Sequence, residues 1–357
     1  MNDIDKVKQT KRQSGIELLR IISMFMVLLI HANAWGEKWG NLDLTTSFAS
    51  STMTILWQTL SCVCVNIFVL ISGWFGIKFS YRGLAKFLFQ CFFFLFGIYL
   101  VVILLGIRKP TIEGLAGCFM FLKWNWFIKA YLLLYIISPI LNRFLDATNK
   151  KELKVILVLF FTIQTIYGWL TNGAFFFEYG LSVTSFVGLY LLAQYVRRFL
   201  LYTSPLNLIC VWGGKFLMCF IIFFLVLFAI AMASVYWKVD FITGKIFAYT
   251  SPFVIINSLL LLLLFIKLDR RGFSNKVINR IAASSFAVFL LHTNPSLFVD
   301  YYQNFFIQIY YLYPWYSVFL LTMVILVVIF AIAITIDQIR IYCWKKIEQF
   351  CLKHGFL

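Results

Sequence analysis

Long apolar runs divided by short polar ones set the pattern of this chain. Ten runs, at 15–35, 54–74, 84–107, 125–144, 153–170, 175–196, 213–237, 246–266, 282–299 and 315–337, approach the length needed to cross a bilayer. A crossing helix needs about 20 mostly apolar residues. The fifth and sixth runs are divided only weakly, around Thr171–Gly173. No repeat or low-complexity tract interrupts the series, and no gap is long enough for a soluble domain. The pattern predicts an all-α, polytopic transmembrane bundle over 15–337, with basic tails at 1–14 and 338–357.

Composition agrees. Of 357 residues, 62% are hydrophobic and only 13% charged, with a mean hydropathy of +0.90. Soluble domains are nearer half apolar and a quarter charged. The net charge of +17 would point to nucleic acid in a soluble protein. Here the cations sit in short loops and no nucleic-acid motif is present, so the reading is topology and contact with anionic membrane lipids. With the N-terminus inside, 23 Lys and Arg fall on the cytoplasmic side and six outside. That bias places both termini in the cytoplasm. The first run, ending in Ala32-Asn33-Ala34, has some features of a cleaved secretory signal. Glu17 and Arg20 interrupt it and nine runs follow, so it is read as a retained helix.

Candidate chemistry begins in that helix. Arg20 and His31 are eleven residues apart, which at 100° per residue is three turns plus about 20°. They lie on one stripe, about 16 Å apart along the axis, and Glu17, one turn before Arg20, joins it. Ionisable side chains in a membrane usually face the bundle interior or a wet cavity, since lipid exposure costs several kcal/mol. The stripe therefore predicts a polar path with Arg20 toward the cytoplasm and His31 toward the outside. The plainer alternative is a structural Glu17–Arg20 pair and an interfacial histidine. His292, in the ninth run, falls at a comparable depth. Histidine titrates near neutrality and can take and return a hydroxyl proton. The third histidine, His354, lies in the basic tail.

The Arg-x10-His stretch "LRIISMFMVLLIH" resembles the signature of the acyltransferase-3 family of integral membrane acyltransferases. Three further stretches resemble that family in order. "NIFVLISGWF" (66–75) carries its Ser-Gly pair as Ser72 and Gly73. "WNWFIKAYLLLYIISPIL" (124–141) matches its Trp-Phe block and Ser-Pro stop. "SSFAVFLLH" (284–292) matches its late histidine block, with Phe289 where tyrosine is common. Many members carry Arg-x-Arg at the start of the third helix, whereas this chain reads "YRGLAKF", with Arg82 and Lys86. Lys123 and Asn125 flank the tryptophan where similar members often have a histidine.

The resemblance implies transfer of an acyl group, usually acetyl, from cytoplasmic acyl-CoA to a sugar hydroxyl. The acceptor would be a surface polysaccharide or lipid-linked sugar of a bacterial cell, and the protein would lie in the cytoplasmic membrane. Acyl-CoA would be a substrate, with no permanently bound cofactor. Arg20, Arg82 and Lys86 supply cations for the donor phosphates, and Glu17 is grouped with Arg20. His31 is the candidate base for the acceptor hydroxyl. His292 is a candidate to orient the acceptor or stabilise developing charge, with Ser72 and Asn294 as hydrogen-bond donors. Trp124, Trp126, Tyr131 and Tyr135 form either a sugar-stacking wall near the outer mouth or an ordinary aromatic belt.

The remaining features are bland. Eight scattered cysteines give neither a disulfide framework nor metal-ligand spacing. Lys129 is expected to snorkel outward, and Asp337 with Arg340 reads as a surface i,i+3 pair. A rival from another class is an exporter of polysaccharide or lipid-linked sugar. Against it, no paired half-repeat is visible in the sequence.

Overall fold

The computed structural model describes residues 13–36, 41–119, 125–171, 173, 174, 176–201, 208–270 and 272–354. The fold is all-helical, 83% helix with no strand among the described residues. In chain order the α-helices are α1 (Ser14–Gly36), α2 (Phe48–Ser61), α3 (Cys64–Phe75), α4 (Tyr81–Leu104) and α5 (Ile112–Phe119). They continue as α6 (Trp126–Ala147), α7 (Lys150–Ile163), α8 (Val183–Tyr195), α9 (Leu208–Tyr236) and α10 (Asp240–Lys245). The last four are α11 (Pro252–Arg270), α12 (Lys276–His292), α13 (Asn304–Leu312) and α14 (Trp315–Lys353).

Eight segments are long and apolar enough to cross a membrane: α1, α2 together with α3, α4, α6, α7 with its π-helical end, α9, α11 and α14. The other two predicted runs form shorter helices. The sixth becomes α8, continued by a π-helical turn at Val196–Leu201. The ninth becomes α12, displaced toward the N-terminus. Asn275 caps it early by accepting hydrogen bonds from the Val277 and Ile278 amides, an arrangement typical of N-caps. The helix stops at His292 because Pro295 follows, and the residue before a proline is pushed out of the α region. Asn294 turns the chain there by accepting from the Ser296 amide. The span predicted at 54–74 starts earlier, at Phe48, and is broken at Cys62–Val63. α14 runs unbroken to Lys353, so residues 338–353, read as part of a tail, continue that helix. At 39 residues it is about 58 Å long and projects well beyond a bilayer core.

α1 is the centre of the bundle, packed against α2, α3, α11, α12, α13 and α14. Its start is fixed by side chains from elsewhere. The Gly15 and Ile16 amides donate to the Asp269 carboxylate of α11, and Ser14 bonds Asn279 of α12. Unpaired amides at a helix start need such acceptors, and a carboxylate there also suits the helix dipole. Gly15 has no β-carbon to obstruct this approach, since an added one would lie 2.7 Å from the Phe265 carbonyl oxygen.

One pair differs from its sequence reading. Asp337 and Arg340 are not on the surface: they are 0% and 2% exposed and form a two-bond pair of 2.8 and 2.7 Å. Gln90 of α4 reaches the same carboxylate. The i,i+3 spacing is as read, but the packing of α4 over α14 removes both charges from solvent.

Candidate active site

α1, α3, α4, α6 and α12, with the turn before α11, enclose a cavity of about 380 Å³. Among the predicted site residues, Arg20, His31, Ser72, Lys86, Trp126 and Tyr131 line it. The stripe on α1 therefore faces a cavity. Arg20 and His31 sit three turns apart along its wall, with Met24 and Val27 between them.

Arg20 and Lys86 bring two cations to the cavity. Arg20 also pairs with Glu17 at 2.9 Å, so the structural pair and the cavity-lining arginine are one arrangement. Glu17 itself is buried and outside the cavity lining. Ser72 donates to the Phe68 carbonyl at 3.0 Å and sits 3.2 Å from the Tyr131 hydroxyl. Its neighbour Gly73 faces α8, where the Gln194 side chain donates to the Gly73 carbonyl. The Ser-Gly motif thus divides its labour, the serine to the cavity wall and the glycine to a close helix crossing.

At the other end His31 Nδ1 lies 2.8 Å from His292 Nε2. The two rings have centroids 5.1 Å apart, which gives the comparable depth read from sequence a direct contact. His292 does not line the cavity; it stands behind His31, 3% exposed. Phe298 packs edge-on against His31, and Tyr302 lies beside His292 with its hydroxyl donating to the Leu28 carbonyl at 2.7 Å.

Other predicted residues are not brought in. Arg82 is paired with Glu348 at 2.6 Å and is largely exposed. Asn294 is buried elsewhere, donating to the Phe94 carbonyl at 3.2 Å, and takes no place in the cavity wall. Trp124 lies outside the described residues. The aromatic wall is also not confined to an outer mouth: Tyr131 reaches Ser72 near the C-terminal end of α3, and Tyr135 reaches Ser80 beyond that end. Both lie toward the Arg20 side, because α3 runs antiparallel to α1 and Trp74 bonds Gln13 at the start of α1.

Sequence reading missed much of the lining. Phe68, Phe87, Phe127, Phe286 and Phe289 make the middle of the cavity aromatic. In a chain with 41 phenylalanines, nothing in their type singles these out. Tyr249 enters from the turn before α11, held there by the Asn66 side chain donating to its carbonyl at 2.9 Å. It faces Trp126, with ring centroids 6.3 Å apart. Only the Ser-x-Phe-x-x-Phe-x-x-His spacing of α12 carried a usable signal, since i,i+3 positions share a helix face.

The site has cations at one end, an aromatic middle and an imidazole at the other, all inside a helical membrane bundle. That combination suits holding an extended anionic molecule with its uncharged end beside a base. No curated protein and no solved structure matches the chain. The acyltransferase-3 family model, described as an acyltransferase domain, matches residues 13–336. That span takes in nearly every element from α1 to α14, and the chain belongs to the acyltransferase-3 family of membrane acyltransferases.

Proposed function

We propose that this acyltransferase moves an acetyl group from acyl-CoA on the cytoplasmic side to a hydroxyl of a surface polysaccharide or lipid-linked sugar. The host membrane would be a bacterial cytoplasmic membrane. The observation that carries the reading is the placement of Arg20, Lys86 and His31 on one cavity. Arg20 and Lys86 meet donor phosphates, for which Arg offers paired N–H donors and Lys a point charge. The arm joining those phosphates to the thioester is long and largely uncharged, and it lies along the aromatic middle. The thioester then reaches the His31 end, about 16 Å away along α1.

There the acceptor hydroxyl, far too weak an acid to ionise at neutral pH, gives its proton to His31 as its oxygen attacks the thioester carbonyl carbon. The carbon–sulfur bond breaks and the thiol leaves with the proton returned by His31. Products are the sugar ester and free coenzyme A. No separate cofactor enters this reaction.

The test is transfer of radiolabel from acetyl-CoA to glycan in membranes containing the protein. Label is expected in the glycan fraction of those membranes and not of membranes lacking the protein. Export of glycan without label transfer would favour the transporter reading instead.

A further inference from the structure

We propose that His292 is a positioning residue that fixes the tautomer of His31, leaving His31 Nε2 as the bare, proton-accepting nitrogen. This rests on the acyl-transfer reading above. His292 Nδ1 lies 2.6 Å from the Val288 carbonyl oxygen, one turn back on α12. A carbonyl has no proton to give, so Nδ1 carries the hydrogen and donates it. His292 Nε2 lies 2.8 Å from His31 Nδ1, a gap that holds one hydrogen. Neither ring forms an ion pair with a carboxylate among the described residues, and an unpaired imidazolium in such an apolar wall is costly. Both rings are therefore neutral at rest, and a neutral imidazole has one protonated nitrogen.

The rest follows by elimination. His292 Nε2 is bare and accepts; His31 Nδ1 holds the hydrogen and donates; His31 Nε2 is bare. A backbone carbonyl thus sets, through two rings in series, which nitrogen the cavity sees. Buried carboxylates do this for the histidine of hydrolytic triads by accepting its Nδ1–H. Here a second imidazole does it without placing a negative charge in the membrane interior, where such a charge is expensive.

The rings are held for the task. Phe289 packs edge-on against His292 at 5.9 Å, and Tyr302 flanks it at 5.3 Å. His292 does not line the cavity, so its effect is exerted through His31. During transfer the acceptor proton joins His31 Nε2 and later leaves with the thiol. The Nδ1 hydrogen stays in the bond to His292 throughout.

The experiment is nitrogen-15 NMR of histidine side chains in the full-length protein in detergent. The chain has three histidines, and substitution of each assigns its signals. Both His31 and His292 are expected as the Nδ1–H tautomer with an unprotonated Nε2. An Nε2–H signal from either residue overturns the proposal. His292→Phe keeps a ring but removes the acceptor. It should return His31 to a mixed tautomer and lower kcat at least about tenfold, with donor KM unchanged. His292→Gln, whose amide oxygen restores an acceptor, should recover part of that loss. Unchanged kcat in His292→Phe overturns the proposal, and so does a loss accompanied by failed donor binding and a lowered melting temperature. Expected tautomers in a protein that transfers no acyl group would support this arrangement and refute the reaction instead.

Discussion

A β-carbon added to Gly73 would lie 2.8 Å from the Tyr190 carbonyl oxygen and 2.9 Å from the Tyr190 α-carbon, so α3 and α8 meet backbone to backbone. Small residues permit such approaches between membrane helices, where packing rather than water exclusion drives association. Gly73→Ala should destabilise the protein by about 1–3 kcal/mol, the usual cost of overpacking. Gly97, inside α4 with no atom within 4 Å of an added β-carbon, is the control. Gly97→Ala should be neutral or stabilising by up to about 1 kcal/mol, from helix propensity alone. Melting temperatures in detergent separate the two, and equal shifts would contradict the close crossing.

His31→Ala should lower kcat for acyl transfer by at least about 100-fold, the lower range for loss of a general base. Its side chain is partly exposed to the cavity, so expression and donor binding should survive. Transfer is measured per mole of inserted protein, with donor binding measured separately. Near-wild-type turnover would return His31 to a structural role.

Lys86 lines the cavity while Arg82, one turn earlier, pairs with Glu348 outside it. Lys86→Ala should therefore raise the donor KM with kcat little changed, the signature of binding that is equal in ground and transition states. Arg82→Ala should raise it less. A larger effect from Arg82 than from Lys86 would move the phosphate site toward α14.

The buried Asp337–Arg340 pair predicts an asymmetry. Removing one partner leaves an uncompensated buried charge, at a cost of about 3–5 kcal/mol. Asp337→Leu should thus lower the melting temperature strongly. The double change Asp337→Leu with Arg340→Met should recover most of the loss. Additive losses in the double variant would show that the two charges do not depend on each other.

Orientation is tested by fusion reporters. One active only outside the cytoplasm should be silent after Leu357 and active near Leu42, as the cation bias of 23 to six requires. The reverse result would put the Arg20 end of the cavity outside and exclude a cytoplasmic donor there.

The helical membrane fold, the positions of most helices and the shared stripe of Arg20 and His31 are all legible in the residue order. Each of these is local: apolar length, charge bias and the 100° step are written in consecutive residues. Sequence reading missed the bounds of α12: the apolar run at 282–299 begins after the Asn275 cap and passes through Pro295. Apolar length there outweighed these two local signals. Tertiary structure alone decided what stands across from each stripe. His292 is 261 positions from His31, and depth along a helix does not say which way a ring turns; the Val288 carbonyl and Tyr302 decide that. Arg82 and Lys86 look equivalent in "YRGLAKF", but Glu348 of α14 draws one away while the other faces the cavity. Asp337 and Arg340 look like a surface pair until α4 covers them. In each case the deciding partner is remote in the chain, and its position depends on how helices of similar composition pack, which apolar patterning leaves open.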